Sequence, residues 1–147
     1  MTIELYKNSL ITLEDAELYF EERYDSDKWF ELDEANKQKL LITASKKMNA
    51  FDFVGNPLKE NQPMVFPRDY DLPQDIKDAV CEEAIELINK SNDIHIKNQS
   101  NNISSISLGV GSISYANQSL SHEERKLFSS TAKYLINKWL KKGFVLG

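Results

Sequence analysis

The chain has 147 residues, enough for a single domain with a sizeable core, and its 41% hydrophobic and 28% charged residues exclude a wholly disordered polypeptide. A formal net charge of −5 and a pI near 5.1 exclude a surface that is basic throughout, as a general coat for nucleic acid requires. The lone Cys81 excludes an internal disulfide and fits a reducing compartment.

Thr12 reads as an N-cap with Asp15 as a loose capping-box partner. Leu13, Ala16, Tyr19, Phe20 and Tyr24 follow at helical spacing, which predicts a first helix over about Thr12 to Tyr24. Asp33 caps a second helix, on which Leu40, Leu41, Ala44, Met48 and Phe51 form one apolar stripe. "VGNPLKENQPM" gathers Gly55, Pro57 and Pro63 among polar residues and predicts a loop. Pro73 suits the first turn of a third helix, whose face is Ile76, Ala79, Val80, Ala84, Leu87 and Ile88 and whose end is expected near Asn89 to Asn92.

Composition then shifts to Ser and Asn. Ile106, Leu108 and Val110 alternate with Ser107 and Gly109, and Ile113 with Ser114 and Tyr115, so an extended arm or β-hairpin is expected. A lone ribbon is marginal in water and needs a surface to cover. Ser121 and Glu124 form a capping box for a last helix that buries Phe128, Ala132, Leu135, Ile136 and Trp139 and ends at Gly143. The expected fold is mainly α: one domain over 1–147, with a helical core over 8–90, a polar arm over 91–121, and a C-terminal helix and tail over 122–147. About four helices form a small bundle, with the arm between the third and the last.

Chemistry-bearing residues are sparse. The two histidines, His95 and His122, are far apart, and Cys81 sits among apolar neighbours on the third helix. Close Cys/His spacing for zinc is missing, and no cofactor is expected. Glu82 and Glu86, and likewise Glu17 and Glu21, stand one turn apart and read as solvated helix faces. No catalytic or metal-binding residue is assigned, and the chain is not expected to be an enzyme. Without a membrane-length apolar run or an apolar leader, a soluble cytoplasmic protein is expected.

Charge is polarised. Glu4, Glu14, Asp15, Glu17, Glu21, Glu22, Asp25, Asp27, Glu31, Asp33 and Glu34 face only Lys7, Arg23 and Lys28 in the first part of the chain. From Arg125 onward every charge is positive: Arg125, Lys126, Lys133, Lys138, Lys141 and Lys142. Such ends steer copies head to tail or attract an acidic partner, or are two ordinary solvated faces.

"NSLITLEDAELYF" from Asn8, Trp29, "KQKLLITASKKMNAF", Gly55, Gln62 with "FPR", and "LPQDIKDAVCEEA" follow one another in an order that resembles the phage head–tail connector (adaptor, or head-completion) proteins. The branch concerned is the one labelled DnaT-like single-stranded-DNA-binding proteins. The similarity runs to Ile88, and "GVGSISYAN" resembles the Gly-x-x-Ser-x-x-Tyr ribbon of many adaptors; Leu10 departs from the usual aromatic. The resemblance implies a virion protein, made in the bacterial host cytoplasm, that forms a ring of about twelve copies at the head–tail junction. The ring joins the portal to a tail-completion protein and passes DNA without reading its sequence. On that reading Ile103, Ile106, Leu108, Val110, Ile113 and Tyr115 are subunit-interface candidates, because the arm buries them on a neighbour. Trp139, Lys141, Lys142, Phe144, Val145 and Leu146 are portal-docking candidates. Phe66, Pro67, Arg68 and Pro73 form a structural corner: Phe66 plugs the bundle, the prolines stiffen it, and Arg68 caps a helix end or pairs with Asp69 or Asp71. The alternative is a single-stranded-DNA-binding module that relies on Lys138, Lys141 and Lys142.

Overall fold

The computed structural model describes residues 2–101 and 127–141. It is mainly α, with five helices among the described residues: α1 (Leu13–Glu22), α2 (Asp27–Phe30), α3 (Glu34–Lys47), α4 (Gln74–Asn101) and α5 (Ser130–Asn137). A turn of 3-10 helix, Met48–Ala50, extends α3. The described residues contain isolated β-bridges but no longer ladder.

Local signals account for the starts. Thr12 Oγ1 accepts the Asp15 amide hydrogen at 3.1 Å, Asp33 Oδ1 accepts that of Asn36 at 2.8 Å, and Ser129 Oγ accepts that of Ala132 at 3.0 Å. The predicted α3 stripe is real: Leu41, Ala44 and Met48 are fully buried and Phe51 nearly so. Along α4, Ile76, Ala79, Val80 and Ala84 are fully buried, and Leu87 and Ile88 pack against the core's edge. The short α2 was not anticipated; it brings Trp29 to stack on Phe20, with centroids 4.4 Å apart.

The helix boundaries differ from the sequence expectation in three places. Tyr24 is 95% exposed, because Arg23 is already extended backbone and turns the chain off the α1 face. α4 continues to Asn101, well past Asn92, so residues 91–101 of the expected arm are helical and the rest of the arm lies outside the described residues. Asn and Ser are only modest helix formers, yet no Pro or Gly interrupts this stretch, and losing the apolar period does not end a helix. The last helix of the described residues covers Ser130–Asn137 and stops short of the expected end at Gly143, while the expected capping box at Ser121 and Glu124 lies outside the described residues. Phe128 therefore stands before it, its backbone N–H held by a carboxylate of α4.

That carboxylate is Glu83, which is fully buried. It accepts the amide hydrogens of Phe128 at 3.1 Å and Ser129 at 2.9 Å and pairs with Lys47 of α3. On the neighbouring position, Glu82 pairs with Arg23 at 2.7 Å and accepts the Tyr19 hydroxyl. α4 thus runs through the middle of the domain, gripping α1 with one carboxylate and α3 and the C-terminal segment with the next. Buried Glu82 overturns the solvated-face expectation made for it and Glu86. Glu83 falls in the stripe Ile76, Val80, Leu87, so the helix itself points it inward.

The loop between α3 and α4 closes over the other end. Phe66 is fully buried against Phe53, with centroids 5.1 Å apart, and edge-on to Tyr70; the Phe66–Pro67 peptide is cis. Arg68 is buried and donates to three carbonyls: Val54 at 3.0 Å, Val65 at 2.9 Å and Gly55 at 2.8 Å. The expected Asp69 or Asp71 partner is replaced by backbone, because five fixed N–H donors suit a loop that folds its carbonyls inward. Phe53 bridges Leu140, with Val54 N–H donating to Trp139 O at 2.8 Å, so the same loop ties down the chain after α5.

Replacing Glu83 with Ala leaves Lys47 and two amides without their partner, and urea unfolding is expected to show a loss of about 3–5 kcal/mol, with Glu83→Gln losing less. Gly55→Ala is expected to lose more than about 1 kcal/mol in the same assay. Gly55 holds φ at +82°, and a Cβ there would run into Asp69 Oδ1 and lie 2.7 Å from Tyr70 Cε1.

Candidate functional site

Four places bring polar chemistry together. The first is an open groove of about 590 Å³ between α1 and the start of α4, lined among others by Asp15, Leu18, Tyr19, Arg23, Lys77 and Asp78. At its base sits the Tyr19–Arg23–Glu82 cluster. Burial, then the hydrogen bond to Glu82, pushes the Tyr19 phenol far above its ordinary range, and the same carboxylate moves Arg23 further up. A phenol so held keeps its proton, and the cluster works as a brace. Lys77 reaches Asp15 across the groove at 3.4 Å.

The second is the Glu83 cluster, closed by the Phe128 ring, above which the Lys47 ammonium sits at 3.8 Å and that of Lys90 at 5.8 Å. All of its hydrogen-bonding capacity goes to holding the chain. Cys81 lies beside these glutamates, fully buried; desolvation raises its thiol well above the ordinary value, so the thiolate is disfavoured. The third is a shallow dish of about 600 Å³ on the loop after α3, lined among others by Pro57, Lys59, Gln62, Met64, Val65 and Arg68. Gln62 donates from its amide to Met64 O and Pro67 O, at 2.8 and 2.9 Å, and Arg68 is committed as described. Phe66 and Arg68 are buried in this loop, and Pro73 stands directly before α4. No group of three His, Cys, Asp or Glu suited to a metal ion occurs among the described residues.

The fourth is the outer surface of α5. Tyr134 is 78% exposed, and one turn later Lys138 pairs with Asp75 of α4 at 2.9 Å. Asp75 also accepts the Trp139 indole N–H at 3.1 Å, and the Trp139 ring stacks on Tyr70 with centroids 5.7 Å apart and planes 17° from parallel. Hydrogen bonds from Lys138 and then from Trp139 lower the Asp75 pKa, and Asp75 in turn raises that of Lys138. Lys141 follows, exposed, its backbone N–H donating to Asp52 O at 3.0 Å.

Of the residues singled out from sequence, Trp139 and Lys141 lie together here, with one face and the N–H of Trp139 already used within the chain. Lys142, Phe144, Val145 and Leu146 lie outside the described residues, as do Ile103, Ile106, Leu108, Val110, Ile113 and Tyr115. Sequence reasoning missed Tyr134 and Glu83 and placed Glu82 on a solvated face. Glu83 carried a signal, a charged residue inside an apolar stripe; Tyr134 carried one only in its offset from Ala132 and Ile136.

A family model described as "Putative DnaT-like ssDNA binding protein" matches residues 2–145. No curated protein matches the chain, and no solved structure does. Among the described residues, no helix is long and apolar enough to cross a membrane.

The Asp75 pair gives a pH-dependent expectation. A carboxyl held below its ordinary 3.8 contributes stability above that value and loses it as pH falls through the lowered pKa. Wild type is therefore expected to melt above Asp75→Asn near neutral pH, and the difference to shrink as pH falls below 3.8 and through the lowered pKa, as thermal melts in matched buffers will show.

Proposed function

The chain belongs to this DnaT-like family, and from that premise we propose that it is a non-catalytic protein that binds single-stranded DNA. The observation that carries the reading is the extent of the match, from residue 2 to residue 145, which takes in the whole helical core. The chemistry of the core supports it. Glu82, Glu83, Arg23, Arg68 and Cys81 are each consumed in holding the fold or shielded from solvent. With a net charge of −5, the protein meets phosphates through a local patch, so few counterions are released and affinity is modest.

A second reading is favoured by the motif order described above, from Asn8 through α4, which resembles that of the head–tail adaptors. On it the chain forms a ring of about twelve copies between portal and tail-completion protein, through which DNA passes.

Fluorescence anisotropy with a labelled thymidine oligomer separates the readings. Single-strand binding is expected at about 50 mM salt, falling roughly five- to twentyfold by about 200 mM, as release of two or three counterions requires. Absence of binding at low salt overturns the first reading. The adaptor reading stands or falls on whether purified portal rings recruit the protein, measured by mass.

A further inference from the structure

The outer face of α5 carries an exposed aromatic ring, Tyr134, one turn before Lys138, which pairs with Asp75. From Leu127 to Lys141 the chain carries Lys133, Lys138 and Lys141 and no acid, while the first 34 residues are strongly acidic. A phosphate backbone is therefore repelled from the α1 side of the molecule and drawn toward α5. Two acids on neighbouring elements temper the patch: Asp75, paired with Lys138, and Asp52, whose carbonyl receives Lys141. Tyr134 stands one turn before Lys138 with 78% of its surface exposed, an aromatic face beside a cation. The helix below is firm. Ser129 caps it, Ala132 and Ile136 are fully buried, and Trp139 is pinned between Tyr70 and Asp75.

We propose that α5 is the single-strand contact, with Tyr134 as the platform on which a base stacks and Lys138 and Lys141 as the phosphate contacts. The assignment rests on the single-strand reading of the function. A flat aromatic with flanking ammoniums accepts any base, so the contact is indifferent to sequence. An exposed ring cannot reach bases that are stacked within a duplex, so single strands are preferred.

The test is a salt titration of thymidine-oligomer binding on folded full-length variants. Tyr134→Ala is expected to weaken binding about tenfold with the salt slope unchanged, and Tyr134→Phe to retain it. Lys138→Gln with Lys141→Gln is expected to reduce the slope of log K against log salt by about 1.4, the share of two phosphates. Lys39→Gln, on the outside of α3, is expected to change nothing beyond a small uniform loss. Wild-type binding that Tyr134→Ala and the double-lysine variant leave intact overturns the α5 assignment and spares the single-strand reading. A wild type that binds no single strand overturns both, and equal affinity for duplex overturns the stacking role of Tyr134.

Discussion

Two adjacent carboxylates on one helix hold this domain together. Glu82 and Glu83 leave α4 roughly 100° apart, as successive helical residues must, and so reach opposite neighbours. One takes Tyr19 and Arg23 and fixes α1; the other takes Lys47 and the amides of Phe128 and Ser129 and fixes α3 and the approach to α5. A buried carboxylate is unfavourable unless its lone pairs find donors, and here one cation and two backbone amides supply three to Glu83. The arrangement rewards a single geometry. A shift of α5 along α4 would strand the charge, so a polar contact fixes the register that apolar packing alone leaves loose.

That register decides what α5 shows to solvent. With Ser129 held by Glu83, its side chain is free to cap the helix at Ala132, and Ala132 and Ile136 turn inward. Tyr134 and Lys138 then turn outward as a consequence of helical geometry. At the far end the loop after α3, stiffened by Arg68 on three carbonyls, bridges the chain beyond α5 through Phe53 and Leu140. The surface carrying the proposed DNA contact is thus anchored at both ends, by a carboxylate at one and by backbone pairing at the other.

Much of this was legible in the residues. The caps Thr12 and Asp33, the stripe through Leu41 and Met48, the α4 face from Ile76 to Ala84, and the plug at Phe66 follow from periodicity and turn chemistry, which are local. What failed was non-local or negative. The start of α5 at Ser130 depends on a carboxylate 46 residues earlier accepting the Ser129 amide, a contact that no local pattern announces. The extension of α4 depends on the lack of a breaker, a weaker signal than the loss of apolar period that suggested its end. Sequence offers Arg68 a helix end or a nearby acid as partner, because both are visible in a sequence and inward-facing loop carbonyls are not. The same blindness hid Tyr134, whose exposure is set by its neighbours' burial.

The claim on which the account turns is that Glu83 fastens the C-terminal segment to α4 and thereby fixes α5. Native-state hydrogen exchange at the Phe128 and Ser129 amides reads it directly. The account predicts that both exchange only with opening of the core, as slowly as the buried part of α4, and that Glu83→Gln speeds these two amides most. Exchange at the rate of an unstructured peptide in the wild-type protein would contradict it.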